Sequence, residues 1–156
     1  MQENHSPLRY PGGKANIIDT VIPFVELNNL SLCHYAEPFA GGCGLALGLL
    51  MRGYVSQIYI NDIDQGIWAF WHSVLNHNEE FIKRIWEINI HIDEWHRQRE
   101  IIRNPEGQDI LDLGFATFFM NRTNRSGIIK AGVIGGLKQD GKYLLDCRFN
   151  KSNLSR

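Results

Sequence analysis

Apolar and polar positions fall into short blocks whose spacing predicts the elements. Ala15, Ile17, Ile18, Val21, Ile22 and Val25 recur at helical intervals after a Leu-Arg-Tyr-Pro-Gly-Gly-Lys loop (8–14). Pro23 interrupts that pattern and predicts a kink or an end near Thr20–Ile22, because proline removes a ladder donor. Residues 32–36 read as a short strand ending at Glu37-Pro38. A turn, Gly41-Gly42-Cys43-Gly44, opens an apolar helix over 45–51, with Gly53 as its stop. Residues 57–60 form a second strand, which runs into Asn61-Asp62-Ile63-Asp64. This strand, glycine loop, helix and strand make the repeating unit of a parallel α/β sheet.

Beyond residue 64 the spacing turns helical. Asp64 is placed to cap a helix to about Leu75, and Asn78, followed by Glu79 and Glu80, to cap another to about Ile90. Residues 93–103 and 108–120 read as two more helices, parted by Asn104-Pro105-Glu106-Gly107. From 121 to 141 the chain is rich in glycine and basic residues, as a loop or hairpin would be; 143–145 suggests a strand, and Phe149 onward a further helix. The spacing of Trp68, Phe70, Trp71, Trp86 and Trp95 assigns them to the core of the helical region.

Charge changes the picture more than composition does. A hydrophobic share of 44% with 21% charged residues in 156 residues is that of an ordinary globular domain. Residues 1–120 hold eight Lys/Arg against 15 Asp/Glu, and residues 121–156 eight against two; nets of −7 and +6 give the overall −1. A basic last quarter is either a polyanion-facing surface or a solvated face. Three cysteines with no Cys-x-x-Cys pair fit a reducing, cytoplasmic setting and argue against a zinc ribbon; His72, His77, His91 and His96 form no metal-ligand set. The opening residues lack a signal-peptide apolar core, and no apolar run reaches membrane-spanning length.

The chemistry concentrates at the glycine loop. A glycine turn between strand and helix brings bare backbone and free N–H groups to a ligand, although such glycines are often only structural. Asp62 sharpens the signal, because it ends the next strand 21 residues after Gly41. At that spacing an acid meets the ribose hydroxyls of a nucleotide in α/β folds. The dinucleotide pattern Gly-x-Gly-x-x-Gly fails at Leu47, which weakens a nicotinamide reading. Tyr10 and Lys14 add an aromatic face and a cation able to pair with a ligand carboxylate, or else a core tyrosine beside a surface lysine.

Leu-Arg-Tyr-Pro-Gly-Gly-Lys (8–14), Glu-Pro-Phe-Ala-Gly-Gly (37–42), Asn-Asp-Ile-Asp (61–64), Phe-Phe-Met-Asn-Arg-Thr (118–123) and Cys-Arg-Phe-Asn-Lys (147–151) occur in that order. They resemble the signature stations of Dam-type DNA adenine-N6 methyltransferases. The resemblance implies an α/β fold, a partial Rossmann-like S-adenosylmethionine-dependent methyltransferase sheet with a helical target-recognition insertion. It implies that Tyr10, Lys14, Phe39, Gly41 and Asp62 bind S-adenosylmethionine, and that Arg122, Asn124, Arg125 and Lys130 bind duplex DNA. Arginine and lysine suit phosphates and guanine edges and asparagine suits adenine, although Asn121-Arg122 could equally serve a helix end. Cys43 stands where the family usually has a second glycine, a departure that could narrow the cofactor pocket or be compensated by Gly44 next door.

The implied parts are a cofactor-binding region (1–75), a recognition region (76–146) and a return toward the catalytic domain (147–156). The implied enzyme is site-specific and cytoplasmic, with neither metal nor membrane, and its role is restriction-modification, repair or one in a phage. The family's Asp/Asn-Pro-Pro-Tyr/Phe tetrapeptide does not occur: prolines stand only at 7, 11, 23, 38 and 105. The chain is therefore expected to be inactive alone and to need a separate chain or downstream segment carrying that motif. The alternatives are a non-catalytic DNA-binding or cofactor-sensing remnant and a nicotinamide-dependent oxidoreductase.

Overall fold

A computed structural model describes residues 5–155. The chain divides into two compact units, residues 1–63 and 64–156.

In the first unit, a 3₁₀ turn at Lys14–Ile17 leads into α1 (Ile18–Leu27), followed by β1 (Cys33–Glu37), α2 (Gly44–Met51) and β2 (Val55–Ile60). α1 runs through Pro23 to Leu27, so of the expected kink or end the helix does not end there. The proline is the sixth of the ten helical residues and removes one ladder donor, while buried Ile18 and Val25 hold the turns on either side of it. α2 is apolar all round, and most of its residues are buried. Ile18, Leu45, Leu49 and Val55 form the core, with Tyr35, Tyr54 and Ile58 packed against it. Gly48 permits the closest helix contact, since a Cβ there would lie 2.5 Å from Ile18 Cδ1. β1 and β2 pair in parallel, with Tyr35 opposite Ile58 and Glu37 opposite Ile60. The described residues thus carry the α/β class as a two-stranded sheet, not the larger sheet that the resemblance implies.

The second unit contains α3 (Gln65–Asn76), α4 (Asn78–Glu87), α5 (Ile92–Arg103), α6 (Ile110–Thr123) and α7 (Lys151–Leu154). Asp64 caps α3 as expected, accepting from the Gly66 and Ile67 N–H groups at 2.9 and 3.1 Å. Asn78 does not cap α4. It is the first helical residue, and its amide turns back to donate to the Val74 carbonyl. His91 caps α5 with its ring nitrogen, and Asp109 caps α6.

α6 is the central helix, buried on all sides. Gly114 lets it meet α3, since a Cβ there would sit 2.5 Å from the Ala69 carbonyl oxygen. Phe70, Phe81 and Phe118 interlock around it, with Phe70 stacked on Phe118 at 5.9 Å and Phe81 edge-on to Phe118 at 5.4 Å. Trp71 and Trp95 are buried as expected, but Trp68 (40% exposed) and Trp86 (52%) are not. Each lies one residue, about 100° of helix, off a buried position at Ile67 or Ile85.

Over 121–141 the chain is a loop, the first of the two forms expected, and it is shaped by three features. α6 continues to Thr123, a 3₁₀ turn spans Arg125–Gly127, and one antiparallel bridge joins Asn124 to Val133. Residues 143–145 form no strand, and the terminal helix starts at Lys151. No helix among the described residues is long and apolar enough to cross a membrane.

Candidate functional site

The carboxyl ends of β1 and β2 are tied together by backbone. Asn61 N–H donates to the Glu37 carbonyl (3.2 Å), and Ala40 N–H to the Asn61 carbonyl (2.9 Å). This clamp lays the loop after β1 beside the residue after β2. Gly41 N–H then donates to Asp62 Oδ2 at 2.7 Å. Gly41 takes φ +48°, a left-handed conformation that costs glycine little. The Tyr10 ring packs on it, so that a Cβ at Gly41 would lie 2.9 Å from Tyr10 Cε1. At Gly42 a Cβ would meet Ser6 Oγ and Tyr10 Cβ, both at 2.9 Å.

Lys14 and Phe39 join the cluster through the lysine, whose Nζ donates to the Phe39 carbonyl at 2.7 Å and leaves the Phe39 ring exposed. The same ammonium lies 2.9 Å from Glu37 Oε1. Tyr10, Lys14, Phe39, Gly41 and Asp62 are therefore brought together by direct contacts within one unit. Beside them lies a cavity of about 170 Å³ lined by Tyr10, Asn16, Gly42 and Gly44.

Sequence reasoning gave Glu37 no role beyond its place in a motif. Its side chain is buried (3% exposed), and a buried carboxylate requires partners. Lys14 is one, and the Ala46 N–H in the first turn of α2 is the other, at 3.2 Å. Glu37 thus joins the strand end, the opening loop and the positive end of a helix. The signal was present in the sequence: an acid at a strand end, before the glycine turn, with a lysine in the preceding loop.

Cys43 takes φ +54° as the residue capping α2 and is buried. It does not line the cavity beside Tyr10. Burial, and then the Glu37 carboxylate, push its thiol up to about 12.

The four positions expected at DNA separate in the second unit. Arg125 and Lys130 are exposed. Arg122 is half-buried, its guanidinium 5.9 Å from the Phe118 ring, and burial pushes it down to about 10, still charged at neutral pH. Asn124 is fully buried. Its Oδ1 accepts from Trp95 Nε1 at 2.7 Å, and its Nδ2 donates to the Ile128 and Ile129 carbonyls at 3.3 and 2.7 Å. Asn121 donates to the Gly127 carbonyl at 2.7 Å. These two asparagines hold the turn in which Ser126 (φ +57°) and Gly127 (φ +75°) are left-handed. Asn124 thus places its neighbours rather than reaching the surface itself. Among the described residues no group of His, Cys, Asp and Glu is arranged to hold a metal ion.

A family model, the D12 class N6 adenine-specific DNA methyltransferases, matches residues 10–137. That span runs from Tyr10 past Lys130 and covers every residue expected at the cofactor or at DNA. A search of curated proteins gave no match. The chain belongs to the D12 class of N6 adenine-specific DNA methyltransferases.

Proposed function

We propose that the first compact unit binds S-adenosylmethionine and the second reads duplex DNA, as the cofactor-binding and recognition parts of a site-specific adenine-N6 methyltransferase. The observation that carries the reading is the 2.7 Å bond between Gly41 and Asp62. Two positions 21 residues apart meet at the carboxyl ends of parallel strands, where α/β folds bind nucleotides.

The residues fit such a cofactor. Bare backbone at Gly41 and Gly42 lies against Tyr10 with no room for a side chain. Asp62 is half-buried beside Gly41, and a carboxylate, with about four acceptor sites, suits ribose hydroxyls. An ammonium has three donors; Lys14 gives one to the Phe39 carbonyl and is ion-paired with Glu37, which leaves donor capacity for a ligand carboxylate. When bound, S-adenosylmethionine supplies an electrophilic methyl group on a sulfonium. For DNA, exposed Arg125 and Lys130, with Arg122 and the net +6 of residues 121–156, suit phosphates and guanine edges.

The target adenine must leave the duplex, and its amino group must be held by fixed acceptors. Residues 1–156 contain no Asp/Asn-Pro-Pro-Tyr/Phe. We assign that task to a segment elsewhere in the protein or in another chain, so these 156 residues alone transfer no methyl group. The same observation supports a second reading, a remnant that binds cofactor and DNA without catalysis. The family match removes the nicotinamide oxidoreductase.

Calorimetry tests the reading. S-adenosylhomocysteine should bind and NAD should not. Asp62→Ala should cost about 1.5–3 kcal/mol, roughly 10- to 150-fold in affinity. Undiminished affinity in that variant refutes the site. A tritiated-methyl assay on adenine-containing duplex should show no turnover by the chain alone. Turnover restored by an added chain bearing Asp-Pro-Pro-Tyr favours the enzyme part over the remnant.

A further inference from the structure

α5 carries three arginines, and two of them are paired with acids of the same helix. Arg97 Nη2 lies 2.9 Å from a Glu94 oxygen, and Arg103 Nη1 lies 4.0 Å from Glu100. Arg99 is held differently. Its guanidinium carbon stands 4.9 Å from the centre of the ring of Trp95, about one helical turn earlier. No carboxylate among the described residues pairs with it; Glu94 is engaged by Arg97 and Gln98, and Glu100 by Arg103 and Asn104.

A guanidinium placed over a ring spends no hydrogen bond on it, because all five N–H donors lie in its own plane. None of those donors has an acceptor among the described residues. Arg99 is half-buried and the indole beneath it is buried, so the cation is held in place before a ligand arrives. Trp95 also fixes where that cation stands. Its Nε1–H donates to Asn124 Oδ1, and the Asn124 amide donates to the Ile128 and Ile129 carbonyls. Arg125 directly follows that asparagine, and Lys130 directly follows Ile129. Both are exposed, and neither pairs with an acid among the described residues. One buried indole therefore joins a cation on α5 to the turn that presents two more.

We propose that Arg99 binds a backbone phosphate of duplex DNA, so that the strand is gripped from α5 as well as from the turn at 125–130. The inference rests on the reading of the second unit as the DNA reader. It adds a contact from outside the basic last quarter of the sequence, residues 121–156. A guanidinium fork with its donors free matches two oxygens of one phosphate, and the three unpaired cations suit a polyanion with spaced charges. A phosphate contact carries no sequence information, so Arg99 acts on all duplexes alike.

The test is fluorescence anisotropy of labelled duplexes with the full chain across a salt series. Arg99→Met keeps an unbranched stem over the indole and removes the charge. It should flatten the salt slope by about one unit, equally on duplexes of different sequence. Arg99→Gln, a second neutral variant, should do the same, and Arg99→Lys should keep the slope. Arg103→Met, which removes a cation that already has an acidic partner, should leave it unchanged. Melting temperature separates contact from packing. Neutral variants that melt earlier but keep the native slope make Arg99 a prop for Trp95 and overturn the proposal, as does a loss confined to one sequence. Inorganic phosphate, at the phosphate concentration of the duplex, should not compete; competition equal to that of the duplex makes this a free-anion site and also overturns the proposal. A native chain that binds no duplex refutes the DNA reading itself. A slope that responds to Arg125→Ala with Lys130→Ala, but not to Arg99→Met or Arg99→Gln, refutes this inference alone.

Discussion

Replacing Glu37 with Gln keeps the shape of a buried side chain and removes its charge. In the native protein the carboxylate is ion-paired with Lys14, whose Nζ lies 2.9 Å from Oε1, and accepts from the Ala46 N–H (3.2 Å). The amide has one acceptor oxygen, so its NH₂ must face either the ammonium or the helix N–H, and one of the two bonds is lost. A hydrogen bond to a charged group contributes about 1.5–3 kcal/mol. Lys14 keeps 41% of its side chain exposed and can turn to water, which holds the loss near the lower end, about 2 kcal/mol. Lys14→Met is the harsher change. It leaves a 3%-exposed carboxylate with no cation, and breaking a buried pair from that side costs about 3–5 kcal/mol. At roughly 2–4 °C per kcal/mol for a chain of this size, melting should fall about 4–8 °C for Glu37→Gln and at least about 6 °C for Lys14→Met. Once the lysine is gone the carboxylate is a liability, so the double variant should be more stable than Lys14→Met alone. Differential scanning calorimetry of all four proteins reads this out. A double variant that is strictly additive, or a Glu37→Gln as damaging as Lys14→Met, refutes the coupling.

The remaining predictions concern the second unit and the thiols. Arg125→Ala with Lys130→Ala should flatten the salt dependence of duplex binding by about two units of slope at unchanged melting temperature. Asn124→Ala should do the reverse: it leaves buried Trp95 Nε1 without its acceptor and lowers stability by about 2–3 kcal/mol, measured by urea denaturation. Cys43, pushed up to about 12, is thiolate to only about one part in ten thousand at pH 8; as pH rises toward 12 that fraction grows. Iodoacetamide at pH 8, followed by mass spectrometry, should therefore modify exposed Cys147 first and Cys43 only after unfolding.

Local grammar carried most of the elements. The strand, glycine turn, helix and strand were legible because glycine and apolar spacing act within a few residues, and Asp64 because a cap bonds its own next turn. The meeting of Gly41 with Asp62 was legible as a spacing. What escaped depends on distant partners. Nothing beside Asn124 announces that Trp95, 29 positions earlier, will claim its oxygen. Glu37 and Lys14 meet only once the opening loop crosses the strand end. Pro23 fooled a local rule, because buried residues on both sides held the helix across it. Trp68 and Trp86 show that an aromatic in an amphipathic helix is sorted by angle, one residue sufficing to move it outside.

The station Phe-Phe-Met-Asn-Arg-Thr (118–123) lies in the buried central helix. Phe118, Phe119, Met120, Asn121 and Thr123 are each at most 1% exposed, and Asn121 bonds backbone inside the fold. Selection for folding alone therefore preserves this signature. A descendant that had lost methyl transfer but kept its helical unit would retain it unchanged through many generations of drift elsewhere. In surveys of genomes the station thus marks ancestry, whereas the glycine loop and Asp62, where we propose the cofactor binds, are the positions to compare for retained function.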